Sequence, residues 1–132
     1  MKRYLLDTNI VSHLVKGHPT VARHLVGVPM ASLCISAVTE GELRFGLAKR
    51  PEAKRLHVVV REFLRRVEAL PWDSAVADRY GSVRADIEKR GQTLAPLDLL
   101  IATHALSIGA VLVTNDCVFH QVPHLDIEDW TV

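Results

Sequence analysis

Short apolar runs alternate along this chain with longer stretches of helical periodicity, and several of them end in polar turns that carry an acid. Tyr4-Leu5-Leu6 reads as a buried strand, followed by a short helix over 9–16 that Gly17 ends. A second helix over 18–26 has Pro19 in its first turn, where a missing N–H costs nothing. Leu33-Cys34-Ile35 is a second strand, and Ser36 stands where it can cap a helix with Val38, Leu43 and Leu47 on its apolar side. Leu56, Val59, Val60, Phe63, Leu64 and Val67 recur at helical spacing and predict one amphipathic helix over 51–70. Leu70-Pro71-Trp72 is then a short extended piece, and Asp73 caps a helix through Val76, Tyr80, Val83 and Ile87 that stops at Gly91. The stretch 97–108 is apolar on nearly all sides, which predicts a buried helix ended by Gly109. Ala110 to Val113 is the plainest buried strand, and Leu125-Asp126-Ile127 alternates like an edge strand.

Strands alternating with helices in this way predict the α/β class with a parallel central sheet, in a single domain over 1–132. That length buries a core without staples. The residues are 48% hydrophobic and 23% charged, with no apolar run near the ~20 residues of a membrane helix. Three apolar residues before Asp7 are too few for a secretory signal, so the expected setting is the cytoplasm, away from membranes. Cys34 reads as a small core residue and Cys117 as a loop residue, with neither a zinc spacing nor a disulfide expected.

Four acids punctuate the pattern: Asp7 after the first strand, Glu42 in the helix after the second, Asp98 in the first turn of the buried helix, and Asp116 after Val113-Thr114-Asn115. In a parallel α/β fold such positions converge on the crevice beyond the carboxyl ends of the strands. Close carboxylates repel by roughly 4 kcal/mol per pair at an effective dielectric of about 20, and a hard divalent cation relieves this. Each acid also has a structural explanation. Asp7 can cap a helix, Asp98 suits the helix dipole, Asp116 suits a turn, and Thr39-x-x-Glu42 fits a capping box. Glu40 is a rival to Glu42, about 200° away around the helix. The seven histidines form no paired zinc spacing, His104 reads as a core histidine, and no Gly-rich phosphate loop or nucleophile elbow is present.

Net charge is +1, but eight basic residues lie between Arg44 and Arg66 and four acids in the last seventeen residues. Such a segment is either a solvated helix face or a surface for a polyanion. Arg44, Lys49, Arg50 and Lys54 follow Glu42 and are the candidate contacts to such a polyanion's phosphates. Aromatics make up 5% of the chain, too few for a base-stacking platform.

Leu6-Asp7-Thr8-Asn9, Ile35-Ser36-x-x-Thr39-x-x-Glu42-Leu43-x-x-Gly46, Pro96-x-Asp98-x-x-Ile101-Ala102 and Val113-Thr114-Asn115-Asp116 resemble, in that order, the PIN-domain ribonucleases. The match is nearest to the VapC-type toxins of toxin–antitoxin pairs, and 122–130 is similar to their usual ending. The resemblance implies a three-layer α/β/α sandwich around four or five parallel strands. It implies Asp7, Glu42 and Asp98 as the principal metal-binding acids, with Thr114 and Asp116 at the more variable fourth position. Many relatives carry Asn at Asp116 and another acid a few residues later, whereas this chain continues Cys117-Val118-Phe119-His120. The expected activity is hydrolysis of RNA phosphodiesters with Mg²⁺ or Mn²⁺, leaving a 5′-phosphate and a 3′-hydroxyl, with Thr8, Asn9 and Thr114 as orienting groups around the acids. Expected partners are structured RNA such as tRNA or rRNA, a cognate antitoxin that places an Arg or Lys among the carboxylates, and a second copy of the chain. Two other readings stay open: a degenerate PIN domain that binds without cutting, and a DNA-directed nuclease of the same fold. An aspartyl phosphotransferase of the haloacid-dehalogenase kind needs a second Asp where Asn9 stands.

Overall fold

The computed structural model describes residues 2–132. Five strands form one sheet: β1 (Tyr4–Leu6), β2 (Leu33–Ser36), β3 (Glu68–Leu70), β4 (Val111–Val113) and β5 (Ile127–Glu128). Their order is β3-β2-β1-β4-β5, with every neighbouring pair parallel. The helices are α1 (Thr8–Val15), α2 (Pro19–Val26), α3 (Ala37–Ala48), α4 (Lys54–Arg66), α5 (Ser74–Lys89) and α6 (Pro96–Ile108).

Alternation along the short strands builds the three layers. Leu6, Ile35 and Val113 point to one face of the sheet and pack with Ile10, Val21, Leu43 and Phe63 from α1 to α4. Leu5, Cys34 and Leu112 point to the other and pack with Ile87, Ile101 and Ala105 from α5 and α6. The chain lays down β1, β2 and β3 in one direction, then returns to place β4 and β5 on the other side of β1. The reversal falls between β1 and β4, and the crevice at their carboxyl ends is where α/β sheets bind ligands.

Most elements stand where periodicity places them, including the Ser36 cap on α3 and the Asp73 cap on α5. The helix expected over 51–70 is shorter. It starts at Lys54 and ends at Arg66, where Val67 turns extended at φ −106° and ψ 129°, and Glu68–Leu70 is a strand paired with β2. Val67 is buried in the same core that holds Val60 and Phe63, so its helical spacing was satisfied by an extended residue. The edge strand sits later than expected, at Ile127–Glu128, and α6 begins one residue earlier, with Pro96 in its first turn. Two short 3₁₀ turns, Met30–Ser32 and Cys117–Gln121, were not anticipated. Both cysteines are free, Cys34 buried and Cys117 exposed. Among the described residues no helix is long and apolar enough to cross a membrane.

Gly109 closes α6 in the left-handed region at φ 67°. A Cβ there meets nothing within 4 Å, so Gly109→Ala isolates backbone strain. It is expected to cost about 1–2 kcal/mol, read as a lower thermal midpoint with unchanged secondary structure.

Candidate functional site

Asp7 leaves β1 at the sheet reversal and is 4% exposed. It caps α1: Oδ1 accepts the Thr8 backbone N–H at 2.7 Å, and Oδ2 accepts the Thr114 hydroxyl at 2.8 Å. Its backbone N–H donates to the Val113 carbonyl at 2.9 Å, which locks it beside the end of β4. Burial first, and then the nearby charges of Asp98 and Glu42, push its carboxyl up to about 6 against the pull of those two hydrogen bonds. Asp98 lies in the first turn of α6. Burial raises its carboxyl, and Asp116 and Glu42 add to the rise. The field of each of the other three acids is therefore felt at Asp98 or at Asp7, and the four share one end of the sheet.

Glu42 sits in the second turn of α3, not at a capping box, because Ser36 caps that helix by accepting the Val38 N–H at 3.1 Å. The Thr8 hydroxyl donates to Glu42 Oε1 at 2.8 Å and lies 3.0 Å from the Thr39 hydroxyl. Thr39 is fully buried, so its place in the Ser36-x-x-Thr39-x-x-Glu42 spacing is explained by a chain of hydroxyls behind the acid. Its part in this chain was not foreseen, since the spacing reads equally well as a cap. Glu40, the rival acid, takes Arg44 at 2.8 Å on the exposed side of the helix. Asp116 caps the 3₁₀ turn by accepting the Val118 N–H at 3.0 Å, and its own N–H donates to the Thr114 hydroxyl at 3.1 Å. Thr114 thus links Asp7 to Asp116. Asn9 is exposed in the first turn of α1.

Among the described residues no Lys or Arg forms an ion pair with any of these four acids. Among the described residues no three His, Cys, Asp or Glu side chains are grouped closely enough to hold one ion. The donors fit a hard divalent cation in kind, since all are carboxylate oxygens and at least two are held above the ordinary carboxylate range by burial and by one another.

A groove of about 220 Å³ opens beside Thr8 and Glu42 and runs past Lys16 to Lys49 and Arg50 over a floor that includes Leu47 and Leu56. Of the four basic residues named from sequence, Lys49 and Arg50 line it. Arg44 is turned to Glu40, and Lys54 is exposed at the start of α4. The Lys49 ammonium also stands 4.9 Å from the ring centre of the exposed Phe45. Farther along α4, Arg65 and Arg66 both pair with Glu62, the solvated-face arrangement.

The sequence profile of the PIN domain matches residues 4–125. The tRNA(fMet)-specific endonuclease VapC of Shigella flexneri is 36% identical over 132 residues, covering 99% of this chain and 100% of that one. Ribonuclease VapC2 of Haemophilus influenzae is 33% identical over 131 residues, covering 98% and 99%. Among solved structures, DNA-bound VapBC from Salmonella typhimurium superposes with a TM-score of 0.90 at 36% identity over 98% of this chain and 99% of that one. VapBC2 from Rickettsia felis, bound to a DNA fragment from its promoter, gives 0.86 at 30% over 96% and 98%. With the profile spanning nearly the whole chain and relatives of this identity aligned end to end, the chain belongs to the PIN-domain family and, within it, to the VapC ribonucleases.

Proposed function

We propose that this chain is the toxin of a toxin–antitoxin pair, a metal-dependent endoribonuclease that hydrolyses phosphodiesters of structured RNA such as tRNA or rRNA. The observation that carries the reading is the gathering of Asp7, Glu42, Asp98 and Asp116 at the β1/β4 reversal without a basic partner. The printed activities of the relatives, a tRNA(fMet)-specific endonuclease among them, support it.

Asp7, Glu42, Asp98 and Asp116 would hold Mg²⁺ or Mn²⁺. When bound, such an ion supplies a Lewis acid for the phosphoryl oxygens and a nucleophilic water at neutral pH. The chain's own groups do the rest. The Thr114 hydroxyl and the Thr8 N–H fix both oxygens of Asp7, which keeps that carboxylate from rotating. The Thr8 hydroxyl, backed by Thr39, aims Glu42. Lys49 and Arg50 hold substrate phosphates along the groove, and burial shields the Asp7 carboxylate from bulk water.

The VapBC neighbours support a cognate antitoxin as partner. A basic side chain of that antitoxin would neutralise the four carboxylates in the resting complex. A homodimer and a cytoplasmic setting complete the reading.

Product termini test the chemistry. Cleavage by this route leaves a 5′-phosphate and a 3′-hydroxyl and stops in EDTA. A 2′,3′-cyclic phosphate, or undiminished cutting in EDTA, contradicts it. Substrate holding is tested separately: Lys49→Ala with Arg50→Ala is expected to weaken RNA binding and to lower its salt slope by roughly two phosphates' worth. Arg44→Ala, already paired to Glu40, is expected to change neither. Filter binding across a salt series reads both.

A further inference from the structure

His104 lies in the middle of α6, six residues beyond Asp98, and is 1% exposed. Its Nδ1 stands 2.8 Å from the hydroxyl of Ser36, which is fully buried. Ser36 ends β2 and caps α3, and its Oγ also accepts the Val38 N–H. The serine hydroxyl still has its proton and a second lone pair, so it pairs with Nδ1 in either ring tautomer. Burial holds the imidazole below its ordinary range.

The bond has a particular place in the fold. Glu42 rides on α3, six residues after Ser36, and Asp98 rides on α6, six residues before His104. The two helices belong mainly to opposite layers of the sandwich. Among the described residues no other hydrogen bond joins α6 to Ser36–Ala48. Apolar packing is non-directional and tolerates sliding, whereas a buried hydrogen bond fixes a register. A misplacement near 1 Å in a catalytic array can matter by about 100-fold.

We propose that His104, acting through Ser36, is a positioning residue that sets the approach of Asp98 to Glu42 and so the affinity of the acidic site for a divalent cation. The inference rests on the reading of those acids as ligands.

The test is calorimetric titration of Mn²⁺ into wild type, His104→Asn, His104→Leu and Asp98→Asn, with a melting curve for each. Asparagine keeps a polar atom near the Nδ1 position, and its dissociation constant is expected within roughly threefold of wild type. Leucine removes the bond and is expected to weaken binding roughly tenfold or more. Melting should rank the other way, because leucine fills the space and asparagine leaves a void. Binding that follows the hydrogen bond while melting follows volume supports the positioning role. Leucine binding as tightly as wild type, or binding and melting falling in the same order, overturns it. Should the leucine variant not fold, His104→Gln, whose amide reaches past the Nδ1 position, takes its place with the same expectation. Asp98→Asn separates the two layers of the argument: it loses Mn²⁺ if the acids are ligands, whatever His104 does. Retained binding by Asp98→Asn overturns the ligand reading and the positioning role together.

Discussion

Asp7→Asn is expected to make the metal-free protein more stable and to abolish its RNA cleavage. The Asp7 carboxyl rises from 3.8 to about 6 in the fold. At neutral pH this corresponds to about 3 kcal/mol of unfavourable charge burial and repulsion. Asparagine caps a helix as well as aspartate does, so α1 keeps its start. The Thr114 hydroxyl loses a charged acceptor, which offsets roughly 1 kcal/mol. The balance is on the order of 2 kcal/mol, or several degrees in thermal midpoint for a chain of this size. Because the folded value is the higher one, the native state holds a proton that the unfolded chain has released between about pH 4 and pH 6. Wild type therefore gains stability as pH falls through that window, and its deficit against Asp7→Asn closes below it. Added Mg²⁺ or Mn²⁺ closes the gap from the other side, by binding wild type alone. Melting curves at pH 7 and pH 4, with and without the ion, read all of this. A less stable Asp7→Asn at pH 7 contradicts the account.

Asp98→Asn is expected to lower RNA cleavage by about 100-fold or more with the fold unchanged. Groups that merely orient a metal ligand matter by 10–100-fold, so a ligand lies at or beyond the top of that range. The fold is spared because nothing structural hangs on this carboxylate. No described side chain or backbone N–H hydrogen-bonds to it, and α6 starts on Ala95 and Pro96 without a side-chain cap. Its helix-dipole benefit, about 0.3–1 kcal/mol, is opposed by burial and by the fields of Asp116 and Glu42. Asp7 and Asp98 thus make a contrasting pair. Both substitutions are expected to cripple the reaction, but only the first is expected to move stability by much.

The acids were legible because strand ends and helix starts are places where polar residues need a reason, and four such reasons pointed to one crevice. Their structural and functional readings turn out to be compatible: Asp7 and Asp116 cap their elements with one oxygen and face the other acids all the same. The strand Glu68–Leu70 was hidden because Val67 and Leu70 continue the apolar spacing of α4, and only the pairing with β2 distinguishes the two conformations. Tertiary pairing overrode local periodicity there. The Arg44–Glu40 pair could have been read from its four-residue spacing. His104 was legible as a core histidine, but the partners of Thr39 and His104 were not. Each bonds a single hydroxyl brought from a distant part of the chain, Thr8 for one and Ser36 for the other, and no local pattern announces such a bond.

The central claim is that Asp7, Glu42, Asp98 and Asp116 hold a divalent ion that cuts RNA. Its most direct test is cleavage of total cellular RNA, beside a DNA control, by wild type and Asp98→Asn purified identically, in Mg²⁺, Mn²⁺ or EDTA. The account predicts RNA cutting by wild type with either metal, none in EDTA, little or none by Asp98→Asn, and none of DNA. Equal cutting by the two proteins, or no cutting of any RNA by folded wild type with metal present, would contradict it.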